Sequence, residues 1–188
     1  MKVRDSGMPE EELWATFFDP PAILDRLLFD DPEADVVEFG CGYGTFTIPA
    51  ARRTRGLVSA LEIDPAMIEA ATAKAKSVGL ANIRFIARDF VTDGTGLEAG
   101  SVDYAMLFNI LHALDPMALL NEAHRVLRPG GKVGAIHWNA TNTPRGPDPS
   151  IRPLPEQCRQ WIAAAGFDIV LSPTPLPPFH FGLAGVKA

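Results

Sequence analysis

Residues 36–46 read Val36-Val-Glu-Phe-Gly-Cys-Gly-Tyr-Gly-Thr-Phe46. Four residues suited to a buried strand run straight into three glycines spaced two apart, Gly40, Gly42 and Gly44, and a helical pattern follows from Thr45 to Arg53. Glycine allows positive φ and lets a ligand approach the main chain closely. A strand, a glycine loop and a helix in this order open a βαβ unit whose loop meets a nucleotide. The dinucleotide fingerprint is G-x-G-x-x-G; here the spacing is G-x-G-x-G, with Glu38 two residues ahead of it. A carboxylate there would repel a pyrophosphate and suits a ligand carrying an amino group, so the loop favours an amino-acid-bearing nucleoside over a nicotinamide dinucleotide.

Outward from this loop the chain alternates short apolar runs with helical ones. Strands are expected at 35–39, 57–63, 83–87, 102–108 and 132–138, with helices at 45–53, 65–78 and 116–127. Nearly all-apolar strands of this length belong to a parallel sheet covered on both faces. After the fifth strand a Pro-rich loop spans 139–155, then a helix at 156–165 and two last strands at 167–171 and 179–186, joined by a turn-like Ser-Pro-Thr-Pro-Leu-Pro-Pro. So short a connection makes a hairpin, which reverses the last strand. The expectation is one α/β domain over 1–188, a doubly wound seven-stranded sheet with an antiparallel last strand. Residues 1–30 form a helical lid, broken at Pro20-Pro21, with Leu13, Trp14, Phe17 and Phe18 on one face.

Two acids compete at the second strand's tip. Glu62 lies 20 residues past Gly42, the spacing at which an acid meets a ribose held over the loop. Asp64 precedes Pro65 and reads as a helix cap. At the third strand's tip, Asp89 could accept from an adenine amine with Phe90 bordering the ring, or cap a turn. His112 follows strand four and reads as a base or substrate contact, or as filling for the strand–helix junction. His137 and Trp138 end strand five at the ligand-binding edge, facing opposite sides. Trp14 packs on the sheet or covers the acceptor. Arg145 and Arg152, in a loop stiffened by five prolines, bind an anionic acceptor or pair with acids elsewhere.

Together these motifs resemble the class I S-adenosylmethionine-dependent methyltransferases, in particular the small-molecule type 11 group. The match runs over 35–138, through VVEFGCGYG, ALEIDPAMI, ARDF, SVDYAMLFNILHAL and LLNEAHRVLRPGGKV. The resemblance implies S-adenosylmethionine as cofactor, converted to S-adenosylhomocysteine, across strands one to four. It places Glu38 near the methionine amino group, Gly40, Gly42 and Gly44 along methionine and ribose, Glu62 on the ribose hydroxyls and Ile63 on adenine. Asp89 and Phe90 meet the adenine edge, and Phe108 and Asn109 close the site. No inserted cap domain is present, so the lid and the loop after strand five must roof the acceptor. The alternatives are a nicotinamide-dependent oxidoreductase on a similar sheet and a noncatalytic binder of the same cofactor.

Composition agrees with a globular enzyme. The 188 residues are 47% hydrophobic and 21% charged, with net charge −6, which argues against nonspecific nucleic-acid binding. Residues 121–188 carry +3 and the rest −9, leaving room for a basic patch in the last third. Two distant cysteines, Cys41 and Cys158, make neither a disulfide framework nor a metal site. No apolar run approaches 18 residues and the opening MKVRDSGMPEEE lacks a signal-peptide core, so the expected setting is cytoplasmic, without membrane contact.

Overall fold

The computed structural model describes residues 9–141 and 143–188. The order is α1 (Glu11–Ala15), α2 (Pro20–Arg26), β1 (Val36–Phe39), α3 (Thr47–Arg53), β2 (Val58–Glu62), α4 (Pro65–Ser77), β3 (Ile83–Ala87), α5 (Phe90–Asp93), β4 (Val102–Phe108), α6 (Pro116–Val126), β5 (Leu127–Trp138), α7 (Pro155–Ala164), β6 (Phe167–Leu176) and β7 (His180–Lys187). One seven-stranded sheet runs β3-β2-β1-β4-β5-β7-β6. β1 to β5 are parallel, and β7 lies antiparallel between β5 and β6, so six strands share a direction and the last is reversed, as the short connection requires.

Alternation along the strands sends their side chains into two cores. Val37, Phe39, Leu107, Val133 and Leu183 face α6 and α7, packing with Leu120, Ala123 and Ile162. Val36, Met106, Phe108 and Ile136 face α2 and α3, packing with Ile23, Leu24, Leu27 and Ala50. Leu24 and Leu27 are fully buried, and each such side chain contributes roughly 1.5–3 kcal/mol. The expected lid therefore narrows: Ile23, Leu24, Leu27 and Phe29 belong to the core, and among the described residues α1 and its exit remain as candidate cover, residues 1–8 of that expectation lying outside them.

Two boundaries differ from the sequence pattern. β5 begins at Leu127 because its first residue pairs with Val102, after which Arg128–Gly131 loops out and pairing resumes at Tyr104–Lys132. The Pro-Gly-Gly turn is thus an excursion within the strand. β6 extends to Leu176 through Pro173 and Pro175, leaving 177–179 as the turn. Proline tolerates this place because β6 is an edge strand, where a missing N–H costs no ladder bond, and the pairing shifts register there. Among the described residues no helix is long and apolar enough to cross a membrane, and no group of His, Cys, Asp and Glu is placed to hold a metal ion.

Candidate functional site

The glycine loop leaves β1 with Gly40, Gly42 and Gly44 all at positive φ (81°, 49° and 75°). The amides of Gly40 and Cys41 both donate to Leu61 O, at 3.0 and 2.9 Å, which anchors the loop to the end of β2. Glu62 completes the anchor. Its Oε2 accepts from Gly42 N at 2.9 Å, and its Oε1 accepts from Ile63 N and Asp64 N at 2.8 and 3.1 Å. A carboxylate offers about four acceptor positions, so one stays open to a ligand hydroxyl. Asp64 is the cap of α4, accepting from Ala66 N at 3.0 Å ahead of Pro65. The Asp64 cap is thus visible in the backbone, and Glu62 is separated from it by anchoring the glycine loop.

Glu38 sits beneath the loop, 2% exposed, and the Thr47 hydroxyl donates to its Oε2. Among the described residues no cation lies against it. Burial pushes its carboxyl up to about 8, with the nearby Glu62 charge adding to the rise. Asn109, just past the end of β4, takes φ +59°, donates its backbone N–H to Ile136 O at 2.8 Å, and has a buried Oδ1 with no partner among the described residues. Asp89 caps α5, accepting from Val91 N and Thr92 N at 3.2 Å each. Phe90 is buried against Phe39 and lies under Gly40, where an added Cβ would meet its ring at 3.6 Å. Ile63 is half-buried beside Glu62, and Phe108 packs on Phe46 at 4.8 Å. Every residue expected to hold the nucleoside lies at the carboxyl ends of β1 to β4.

The acceptor-side candidates separate. His137 and His112 meet on the α6–α7 face, His112 Nδ1 lying 3.2 Å from His137 Nε2, with both rings buried. Burial and the neighbouring His112 hold the His137 imidazole well below its ordinary value, so it is neutral. On the opposite face Trp138 is fully buried, with Trp14, Phe17 and Phe179 at 6.1, 5.6 and 6.2 Å. Both expected roof segments converge on this indole. Trp14 comes from α1, and Gly146 of the Pro-rich loop lies so close that a Cβ would stand 2.7 Å from the ring.

The arginines divide too. Arg152 is 7% exposed, and its guanidinium donates to Pro147 O, Asn139 O and Thr141 O at 2.8, 2.9 and 3.0 Å and to Arg145 O at 3.3 Å. It pins the loop to itself and stacks over Trp138 at 5.4 Å. Arg152 thus ties the loop together through carbonyls and not, as the connector alternative expects, through acids elsewhere, and it leaves no fork for an acceptor anion. Arg145 is exposed.

Several participants escape the sequence pattern. Thr47, the first residue of α3, meets Glu38 only because the loop folds back. Tyr43 donates to Pro9 O at 3.3 Å, and Lys74 joins Tyr43 O (2.9 Å) to Glu11, so α1 is tied to the glycine loop. Phe18 and His180 join the aromatic layer, their rings 4.5 Å apart. The Phe-His-Phe run at 179–181 is the one signal in the sequence for this end of the site.

Comparison with known proteins gives the following likenesses. Residues 36–131 match the family described as "Methyltransferase domain". The chain is 30% identical over 171 residues to the aklanonic acid methyltransferase DauC of Streptomyces sp. (strain C5), covering 82% of this chain and 76% of that protein. It is 41% identical over 76 residues to the 23S rRNA (uracil(1939)-C(5))-methyltransferase RlmD of Alcanivorax borkumensis, covering 40% of this chain and only 17% of that longer protein. A solved SAM-dependent methyltransferase from Aquifex aeolicus superposes with a TM-score of 0.81 at 20% identity, covering 92% of this chain and 91% of that one.

Proposed function

Since the chain belongs to the class I S-adenosylmethionine-dependent methyltransferases, we propose that it methylates a small-molecule acceptor seated at the carboxyl edge of β4 and β5. The observation that carries the donor site is Glu38, a buried carboxyl with no cation against it among the described residues, together with the Oδ1 of Asn109 past the end of the neighbouring β4, which has no partner among them either. A ligand amino group satisfies both, and S-adenosylmethionine carries one together with ribose hydroxyls for Glu62. The residues present fit the donor. The small-molecule acceptor is supported by the 76% coverage of DauC, against the fragment shared with the rRNA enzyme.

The bound donor supplies a methyl carbon activated on a sulfonium, which an acceptor lone pair takes while the C–S electrons return to sulfur, leaving S-adenosylhomocysteine. The chain's own work is orientation, where alignment supplies up to about 7–11 kcal/mol. Glu62 and the glycine loop hold the ribose, and Glu38 and Asn109 hold the amino end. The Phe46–Phe108 wall excludes water. The His112–His137 pair orders a proton. His137 Nδ1 faces a carbonyl, Trp138 O at 3.5 Å, and must donate to it. His137 Nε2 then accepts from His112 Nδ1–H. The pair is ordered in one direction, with His112, at the exit of β4, as its donor member.

Thermal denaturation with S-adenosylhomocysteine and, separately, with NADH tests the donor. A rise of several degrees with the first and none with the second is expected; the opposite pattern would remove the donor assignment. Transfer of labelled methyl to members of an acceptor panel then separates an enzyme from a silent binder.

A further inference from the structure

The buried side-chain atoms without a hydrogen-bond partner among the described residues are Asn109 Oδ1, Trp138 Nε1 and both ring nitrogens of His180. Folded proteins rarely leave such atoms idle, because each costs about 1–3 kcal/mol. Here they gather at one edge. Trp138 and His180 face each other across the β5–β7 pairing, their rings 4.2 Å apart, and both are essentially fully buried (0% and 1% exposed). From His180 a continuous line of rings runs through Phe18 (4.5 Å) and Phe46 (5.2 Å) to Phe108 (4.8 Å), the residue before Asn109. The idle atoms therefore border the donor site through an apolar, aromatic wall.

What covers them belongs to the chain itself. Trp14 and Phe17, in α1 and its exit, lie over Trp138, and α1 is held down by a bond from Tyr43 and an ion pair to Lys74. The ion pair has both side chains partly exposed, so it holds α1 weakly. Rings packed on rings contribute area and edge-to-face geometry but offer no partner to an indole N–H or an imidazole. The closed packing is thus incomplete in a defined way: apolar demand is met and polar demand is not.

We infer that Trp138, His180 and Phe179 form the acceptor subsite, that it takes a flat, uncharged aromatic compound bearing ring oxygen (a phenol or enol), and that Trp14 and Phe17 stand in for that ring until it binds. The acceptor's oxygen receives the Trp138 N–H, and its hydroxyl engages His180. The neutral preference follows from the walls. His180 is pushed down to about 3 by burial, with the Arg152 charge adding to the shift, so it is uncharged. The cation at hand, Arg152, is committed to four carbonyls. The Arg152 charge remains, but with four of its five N–H groups on carbonyls an anion finds no guanidinium fork there. This inference rests on the methyltransferase reading for the donor beside the subsite, and it replaces the anionic acceptor suggested by the arginines.

The test uses the whole chain and three probes, 2-naphthol, naphthalene and 2-naphthoate, with S-adenosylhomocysteine present. Nuclear magnetic resonance of the indole N–H groups reports Trp14, Trp138 and Trp161 separately. We expect 2-naphthol to shift the Trp138 and Trp14 signals and leave Trp161 unmoved, and to bind about ten-fold tighter than either other probe. Trp138→Phe and His180→Phe should each remove that preference over naphthalene while keeping the melting-temperature rise with S-adenosylhomocysteine. Equal binding of 2-naphthol and naphthalene, stronger binding of 2-naphthoate, or an unmoved Trp138 signal overturns the inference. If the homocysteine compound itself gives no melting-temperature rise, the donor assignment fails as well, so the two failures are told apart.

Discussion

Glu62 carries two duties with one carboxylate. It accepts three backbone N–H bonds, one of which holds the glycine loop against β2, and it keeps a remaining acceptor position that the proposed ribose contact would use. Glu62→Ala should therefore cost both, lowering affinity for S-adenosylhomocysteine at least ten-fold and lowering the melting temperature, since hydrogen bonds to a charged group contribute about 1.5–3 kcal/mol each. Asp64→Ala removes a cap worth about 0.5–2 kcal/mol and should lower the melting temperature while calorimetry shows affinity little changed. Reversed outcomes would exchange the roles. Glu38 gives a pH signature. Its carboxyl titrates near 8 in the folded chain against an ordinary 4.5. Between those values the folded chain keeps a proton that the unfolded chain releases, so Glu38 subtracts stability progressively as pH rises from 4.5 to 8. Glu38→Gln should melt like the parent near pH 4.5 and several degrees higher at pH 8, and should bind S-adenosylhomocysteine more weakly. Parent binding at about pH 7 should release a proton, seen as different heats in phosphate and Tris; the Gln variant should give equal heats. A melting difference independent of pH would contradict the assignment.

At the scale of elements, the two roof segments differ in how they are held. α1 is five residues long, too short to be stable alone, and it stays in place through Trp14 and Phe17 and the tie to Tyr43 and Lys74. The Pro-rich loop is stiffened by its prolines and then locked from inside by Arg152. Arg152→Met should lower the melting temperature by several degrees, because four carbonyls lose a buried donor. Arg145→Met, at an exposed position, should leave it unchanged. Loss of acceptor affinity in Arg145→Met without loss of stability would revive an anion contact at the loop. The hairpin shows how an element can mislead at sequence level. Four prolines within Ser-Pro-Thr-Pro-Leu-Pro-Pro signal a turn, yet two of them lie in β6, because only an interior strand demands their missing N–H groups.

Over the whole molecule, much of the basic charge of the last third is paired or bonded to carbonyls. Arg128 bridges Asp35 and Asp103, Lys132 meets Asp30, Arg125 meets Glu122 and Arg159 meets Glu156, while Lys187 and Arg152 cap carbonyls. Several of these tie the basic last third to the acidic first part. The five parallel strands β1 to β5, the glycine loop and the Asp64 cap are legible from residues 35–138, because local periodicity, glycine placement and capping chemistry act between neighbours in sequence. The parity of β5 likewise separates His137 from Trp138 by strand alternation alone. What the chain does not announce is which distant residues meet. The insertion of β7 between β5 and β6 sets His180 against Trp138, the fold of α1 sets Trp14 over that pair, and the β4 junction sets His112 against His137. These contacts join segments far apart in the chain, and no local rule encodes them. Burial decides their chemistry as well: by removing water, the packed sheet keeps the proton on Glu38 at neutral pH and keeps His180 uncharged even in mild acid.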